Sequence, residues 1–126
     1  MNKENTEKLR NDFPNLYQEC DNSKFKFECM DGWFSIIYEL SEKIKKVYPE
    51  CVALQVKEKF GGLRFYTSPT TNEVIDMINE YGSKSYKICE SCGTAENVEK
   101  RGGGWIKVLC NNCDIQYLKE QEERWK

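Results

Sequence analysis

The chain has 126 residues and a mass of 14.9 kDa, which is the size of one domain. Its formal net charge is −2, so a general nucleic-acid binder with a basic surface is excluded, and any site for a polyanion must be local. Histidine is absent, which excludes Ser-His-Asp and Cys-His catalysis in their common forms and every histidine-ligated catalytic metal.

The distribution of motifs along the chain predicts a single domain, 1–126, made of two parts. An α+β body is expected over residues 1–87, and a zinc-binding subdomain with a C-terminal helix over residues 88–126. No apolar leader follows Met1, and no run reaches the roughly 18–20 apolar residues that a membrane span needs, so we expect a cytoplasmic protein. In a reducing cytoplasm, Cys20, Cys29 and Cys51 are predicted to be free, buried thiols.

The N-terminal segment is predicted to contain a helix and a short extended piece. The helix starts near Asn5 or Thr6 and ends before Pro14. Phe25 and Phe27 alternate with charged residues further on, which indicates an extended conformation.

The clearest helix in the sequence follows Asp31, which offers an N-cap, and ends by Pro49. Its apolar residues recur at helical spacing and predict the side that faces a core. These residues are Trp33, Ile36, Ile37, Leu40, Ile44 and Val47.

Two strand-like runs around Gly61-Gly62 predict a β-hairpin. Both glycines accept the positive φ that a two-residue type I′ turn requires. In that register Lys59 lies opposite Arg64, and alternation divides the side chains between two faces. The core face is predicted to carry Val52, Leu54, Val56, Phe60, Leu63 and Phe65, and the other face Gln55, Lys57, Lys59, Arg64 and Tyr66.

A further helix is predicted from about Thr71 to Lys84, because Thr70 and Glu73 have the spacing of a capping box. Its inward residues are predicted to be Val74, Ile75, Ile78 and Tyr81. These elements together predict an α+β fold in which helices pack on an antiparallel hairpin or small sheet.

Two Cys-x-x-Cys pairs, Cys89/Cys92 and Cys110/Cys113, are separated by 17 residues. This spacing is typical of a four-cysteine zinc site, in which two pairs complete a tetrahedron around one structural Zn²⁺. A redox dithiol pair and a disulfide framework are the alternatives for the same spacing. If zinc is bound, all four positions are filled by cysteine, and no position stays open for a catalytic water.

The segments around the cysteines predict the type of zinc module. Gly93 suits a tight knuckle after the first pair, and Lys100–Trp105 resembles a hairpin turn that leads into a returning strand. The second pair is predicted to open a helix, on which Ile115, Leu118 and Trp125 share one face. This order favours a treble-clef-like module over a ribbon-like one.

The basic face of the hairpin is the first candidate for binding. Lys57, Lys59 and Arg64 are grouped there, and Tyr66 is placed to stack on a ring. Such a group suits a phosphate-bearing ligand, a nucleic-acid segment or an acidic protein surface. The alternative is an ordinary solvent-exposed face of a sheet.

The second candidate is the glycine-rich stretch of the zinc module, where Arg101 and Trp105 flank three glycines. Glycine lets a ligand approach the backbone closely, so this stretch is predicted to contact a partner. The alternative is that its basic residues only offset the negative charge of a Zn(Cys)₄ centre.

No catalytic group stands out in the sequence. The carboxylates form no isolated pair with apolar neighbours of the kind that general acid–base catalysis needs. We therefore predict a non-enzymatic binding protein. A nucleic-acid-binding zinc protein is the first alternative, and a small enzyme such as a nuclease or thiol oxidoreductase is the second.

The stretch Val56–Tyr66, with the sequence VKEKFGGLRFY, resembles small uncharacterised proteins of phages and prophages. The resemblance extends to Asp31–Phe34 and to the two cysteine pairs. It implies a mobile-element protein in a bacterial cytoplasm. It further implies an accessory role, either binding and inhibiting a host protein, including an antiviral defence, or sequestering a nucleotide-type ligand.

Overall fold

The computed structural model describes residues 1–21, 26–102 and 106–124, with only the backbone described at positions 20, 21 and 124. The predictions for Phe25, Trp105 and Trp125, and for the thiol of Cys20, lie outside the described residues. Within them the chain is α+β, with four α-helices, five strands and 3₁₀ turns at Gln18–Asp21 and Asp31–Trp33. The main elements are α1 (Lys3–Asp12), β1 (Phe27–Glu28), α2 (Phe34–Val47), β2 (Val52–Lys59), β3 (Gly62–Ser68), α3 (Asn72–Ser85), β4 (Val98–Arg101), β5 (Lys107–Cys110) and α4 (Asn111–Arg124).

The body, residues 1–21 and 26–87, is built on a three-stranded sheet in the order β1-β2-β3. β2 and β3 are antiparallel, as predicted, whereas β1 joins β2 in parallel, which the sequence pattern does not predict. α3 packs against both α2 and β3. The largest fully buried side chains of the core are Trp33, Tyr17, Tyr81, Leu9, Ile37 and Leu40.

The hairpin turn lies one residue earlier than predicted. Its central residues are Phe60 (φ 53°) and Gly61 (φ 84°), so Lys59 pairs with Gly62, not with Arg64. Gly62 belongs to β3 because Tyr86 packs against it: a Cβ there would lie 2.3 Å from the Tyr86 hydroxyl oxygen. Gly62 therefore allows the close contact with Tyr86 and is not one of the two central residues of the turn.

The predicted core face of the hairpin is correct at Val56, Leu63 and Phe65, which are buried. It is wrong at Leu54 and Phe60, which are 52% and 65% exposed. A register irregularity between positions 53 and 55 breaks the alternation and buries the preceding alanine in place of Leu54. Phe60 is exposed because it belongs to the turn.

The helix starts also differ from the predictions. Asp31 does not cap α2; its carboxylate accepts the backbone N–H of Asn2 (2.7 Å) and the side-chain amide of Asn5 (3.1 Å), which ties α1 to the turn. α3 is capped by Thr71, whose hydroxyl accepts the Val74 N–H (3.2 Å), and not by Thr70.

The inward sides of α2 and α3 are largely confirmed. Five of the six predicted residues of α2 are buried, and Val47 is 38% exposed. On α3, Val74 and Tyr81 are buried and Ile78 is half-buried, whereas Ile75 is exposed.

The metal module, residues 88–102 and 106–124, contains a second sheet in which β4 and β5 are antiparallel, followed directly by α4. The predicted inward face of α4 is wrong, because Ile115 and Leu118 are more than half exposed. Cys113 and Tyr117 contact the module core instead. Among the described residues, no helix has both the length and the apolar composition to cross a membrane.

Candidate metal centre

The first cysteine pair lies on a tight turn. The Cys89 N–H donates to the Thr94 carbonyl (2.8 Å), and the Gly93 N–H donates to the Cys89 carbonyl (2.9 Å). Gly93 has a φ of 85°, a left-handed conformation that glycine adopts without steric cost. This turn directs Cys89 and Cys92 toward the second pair, as the knuckle prediction requires.

The second pair lies where β5 passes into α4. Cys110 is the last residue of β5, and Cys113 lies in the first turn of α4. The Cys113 N–H donates to the Cys110 sulfur (3.4 Å), and this hydrogen bond lowers the pKa of the Cys110 thiol to about 7. The lowered pKa favours the thiolate of Cys110, the form that binds metals, whereas burial raises the pKa of the Cys113 thiol to about 12.

The structure brings all four cysteines together. Their sulfur atoms lie within 4.8 Å of one another, and none of the four is in a disulfide. The Cys92 and Cys110 sulfurs are 3.8 Å apart. A tetrahedron with Zn–S bonds of about 2.3 Å has sulfur–sulfur edges of about 3.8 Å, so the cluster has the size that a tetrahedral ion requires.

Arg101 lies inside the metal module and joins its parts. The guanidinium donates to the carbonyls of Leu109 (2.9 Å) and Asn97 (3.2 Å) and to the side chain of Asn111, and it forms an ion pair with Asp114 (3.5 Å). These contacts hold the β4–β5 hairpin against the start of α4. Its role in contacting a partner stays a prediction.

A buried charged group that the sequence pattern does not reveal joins the metal module to the body. Glu90, between Cys89 and Cys92 in the sequence, is fully buried. Its carboxylate lies 3.5 Å from the Lys107 ammonium, which lies 3.2 Å from the Glu58 carboxylate. Burial raises the pKa of Glu90 and the ammonium opposes that rise. Burial also acts to lower the pKa of Lys107, but the two carboxylates outweigh it and the pKa is raised.

Each carboxylate of this group also accepts a backbone N–H. Glu90 accepts from Met30 (3.0 Å), just before the 3₁₀ turn, and Glu58 accepts from Gly61 (2.9 Å), in the hairpin turn. The only sequence signal for this role is that Glu90 lies between two predicted ligands, where its side chain is held close to the module.

The surrounding contacts are equally specific. The Gly32 N–H donates to the Glu90 carbonyl (2.7 Å), and the Trp33 indole donates to the Ile88 carbonyl (3.0 Å). The hairpin turn at Gly61 faces the side chains of Ile106 and Val108. The 3₁₀ turn before α2, the hairpin turn and the turn of the first cysteine pair therefore lie at one interface, between the body and the metal module.

The opposite surface of the hairpin is partly accessible: Lys59 and Tyr66 are exposed, whereas Gln55, Lys57 and Arg64 are half-buried. Lys57 pairs with Arg64 and Gln55 with Tyr66, and Val56 and Phe65 between these rows are buried. Alternation therefore places the predicted basic residues on one side of the sheet, here called the outer face: Gln55, Lys57, Lys59, Arg64 and Tyr66, with Glu28 beside Lys57.

The cations of the outer face are not neutralised within the described part of the chain. The side chains of Lys57 and Arg64 form no hydrogen bond or ion pair there, and Lys59 lies only over the ring of Phe60. The structure thus groups Lys57, Lys59, Arg64 and Tyr66, and places Arg101 separately in the metal module.

No protein-family model matches the chain, and neither does any curated protein or solved structure, so the resemblance to phage proteins stays a prediction.

Proposed function

We propose that this chain is a non-enzymatic binding protein whose outer face binds an anionic partner, while a structural zinc ion in the metal module supports the hairpin. The phage-type accessory role implied by the sequence resemblance is the setting that we propose for this activity. The observation that carries the proposal is a row of cations that form no ion pair within the described part of the chain, beside an exposed tyrosine.

Zinc is the metal that we propose for the four-cysteine cluster. Four soft thiolates in a tetrahedral arrangement suit Zn²⁺ better than hard cations such as Mg²⁺ or Ca²⁺. The order of knuckle, hairpin and helix supports a treble-clef-like module. When bound, the ion would contribute folding free energy, and Cys89, Cys92, Cys110 and Cys113 would hold it.

The charge pattern of the outer face supports binding over simple solvation. Lys57 and Arg64 are direct cross-strand partners, and like charges at such positions are destabilising. A sheet face selected only for stability would place opposite charges there. Glu28 neighbours Lys57 on the other side, so it offsets only part of the repulsion.

The buried carboxylates support binding over acid–base catalysis. Glu58 and Glu90 are the paired acids that such chemistry would need, but each is bonded to Lys107 and to a backbone N–H. They lie between the body and the metal module, where Glu90 has no exposed surface.

Replacement of the three outer-face cations by glutamate tests the proposal. We expect the wild-type chain to be retained on a heparin matrix at low salt, and the triple variant Lys57→Glu, Lys59→Glu, Arg64→Glu to pass through. The reversal leaves positions 57 and 64 with like charges and adds a repulsion between position 57 and Glu28, so we expect a modest loss of stability in a variant that still folds. The matched control with the same net charge replaces the exposed lysines Lys46, Lys87 and Lys119 by glutamate.

The control should be retained almost as strongly as the wild type. Circular dichroism and zinc content establish that each variant is folded. Equal retention of the triple variant and the control, or no retention of the wild type, would contradict the proposal.

A further inference from the structure

We propose that the anionic partner of the outer face is a single strand of nucleic acid, which rests on the binding role proposed above. Phe60 and Tyr66 would stack on bases, and the cations between them would contact phosphates. Non-specific single-strand sites combine these two elements: cations that follow the backbone and aromatic rings on which bases stack.

Phe60 is the first observation that points to a ligand. Its φ of 53° is the left-handed conformation, which is a genuine outlier for a bulky side chain. Phe60 as a whole is 65% exposed, so burial in the core does not offset the unfavourable backbone conformation. Asparagine or glycine is the usual residue at this turn position. A strained residue kept at an exposed position indicates a functional constraint.

The second observation is where the two aromatic rings lie. Tyr66, 48% exposed, pairs with Gln55, and Phe60 follows Gln55 by five residues along the hairpin. At about 3.4 Å per residue, the backbone positions of the two rings are at most about 17 Å apart along the hairpin. The cations of the outer face lie between them, and the Lys59 ammonium is 5.6 Å from the centre of the Phe60 ring.

The shape of this site favours single strands over duplexes. A two-stranded ribbon reads a duplex by entering its major groove. Here the end of the hairpin is not free to do so, because Gly61 and Gly62 are buried against the metal module and Tyr86. A flat face with exposed rings is suited instead to unpaired bases.

The exposed rings also favour nucleic acid over an acidic protein surface. Carboxylates would neutralise the cations equally well, but they give no reason for Phe60 in a left-handed conformation. Every base has a π-face, so two exposed rings suit any sequence. Because the chain as a whole carries a charge of −2, contact with a longer polyanion should be confined to this face.

The test is fluorescence anisotropy with zinc-loaded, full-length protein and four probes: labelled oligothymidylate, oligouridylate of equal length, a duplex of the same length and polyglutamate. We expect both single strands to bind and the duplex and polyglutamate to bind more weakly. The relative affinities of the thymidylate and uridylate probes distinguish DNA from RNA as the preferred strand. Three neutralised phosphates predict a slope of about −2 for log K against log salt.

Phe60→Asn and Tyr66→Thr should each weaken binding to the single strands by roughly 5- to 150-fold, which is the range measured for one stacked base. The salt slope should not change, because no charge is removed. Leu118→Asn, which removes an exposed apolar side chain from α4, is the control and should bind like the wild type. The glutamate triple variant of the outer face should lose binding altogether.

Two results would overturn this inference and leave the proposed function intact. One is retention on heparin, dependent on the outer-face cations, without binding of either single strand. The other is equal affinity for polyglutamate or the duplex, with no effect of the aromatic substitutions. If heparin retention does not depend on the cations, the proposed function fails as well.

Discussion

Gly32 permits the contact between the body and the metal module because it has no side chain. A Cβ at this position would lie 2.1 Å from the Cys89 carbonyl oxygen and 2.5 Å from that of Glu90. Both are backbone atoms of the turn that carries the first cysteine pair, so they cannot move without displacing it. The glycine is therefore required by close approach and not by an unusual φ.

Gly32→Ala and Gly82→Ala should change stability in opposite directions. We expect Gly32→Ala to lower the free energy of unfolding by about 3 kcal/mol or more, the upper end of the range for overpacking. Gly82 lies within α3, and its added Cβ would be 3.5 Å from the Leu63 carbonyl oxygen, an ordinary contact. Alanine there should add about 0.5–1 kcal/mol through helix propensity. Urea unfolding measures the free energy of unfolding of both variants. An unchanged value for Gly32→Ala would show that the interface shifts to accommodate the added methyl group.

Lys107 is the cation that both Glu58 and Glu90 contact in the described structure, and its removal takes that partner from both carboxylates. We expect Lys107→Met to cost about 3 kcal/mol, because breaking a buried ion pair leaves an uncompensated charge. Lys87→Met is the matched control at an exposed position and should change stability by less than about 0.5 kcal/mol. Similar losses in the two variants, measured by urea unfolding, would rule out a structural role for the group.

The β2–β3 hairpin shows how a correct element can be predicted with a wrong register. The motif Phe60-Gly61-Gly62 allows a turn on Gly61-Gly62 or on Phe60-Gly61, and local conformational preference favours the two glycines. The turn forms on Phe60-Gly61 because Tyr86 packs against Gly62 and the Glu58 carboxylate accepts the Gly61 N–H. The Glu58 contact is local, three residues before Gly61, but Tyr86 belongs to another part of the fold, and its contact has no local signature.

Phe60→Asn should stabilise the hairpin. Asparagine tolerates the left-handed conformation, and relief of the strain is worth about 1 kcal/mol. Gly61→Ala is the contrasting variant: its φ is 84°, and its Cβ would lie 3.2 Å from Ile106 and Val108, so it should destabilise. Thermal unfolding measures both shifts. A lower Tm for Phe60→Asn would mean that the ring stabilises the fold, which removes the strain argument for its binding role.

α4 shows the limit of helical periodicity. Ile115 and Leu118 have the spacing of a buried face, yet both are exposed, and the module core is reached by Cys113 and Tyr117. The orientation of α4 is set by Cys113, which must point to the other three cysteines. The position of Cys113 in the four-cysteine cluster thus determines which side of the helix faces inward, and it leaves Ile115 and Leu118 exposed.

The body and the metal module depend on each other. The turn with the first cysteine pair supports the 3₁₀ turn before α2, and the β5 strand supports the end of the hairpin. Loss of the metal should therefore weaken the body and the outer face as well as the module. Structural zinc has apparent binding free energies of about 10–16 kcal/mol in isolated peptides at pH 7, which is as large as the stability of a whole domain.

Metal analysis and chelation test this dependence. We expect one zinc ion per chain by native mass spectrometry, and a large fall in Tm on removal by a strong chelator. Cys92→Ser should reproduce that fall, whereas Cys51→Ser, in the body, should keep the zinc. Affinity for zinc should decline as the pH falls, because protons compete with the metal for the four thiolates. Unchanged Tm after demetallation would contradict the proposed coupling.

Local patterns in the amino-acid order were enough to predict the α+β class, the three main helices, the hairpin and the four-cysteine cluster. Each of these depends on spacing within a few residues: helical periodicity, strand alternation or Cys-x-x-Cys. Tertiary contacts decided the turn position, the exposure of Leu54 and Phe60, the parallel β1 strand and the Glu58–Lys107–Glu90 group. The reason is physical. Glu58 and Lys107 are 49 residues apart in the sequence, and they come into contact only when the body and the metal module pack against each other.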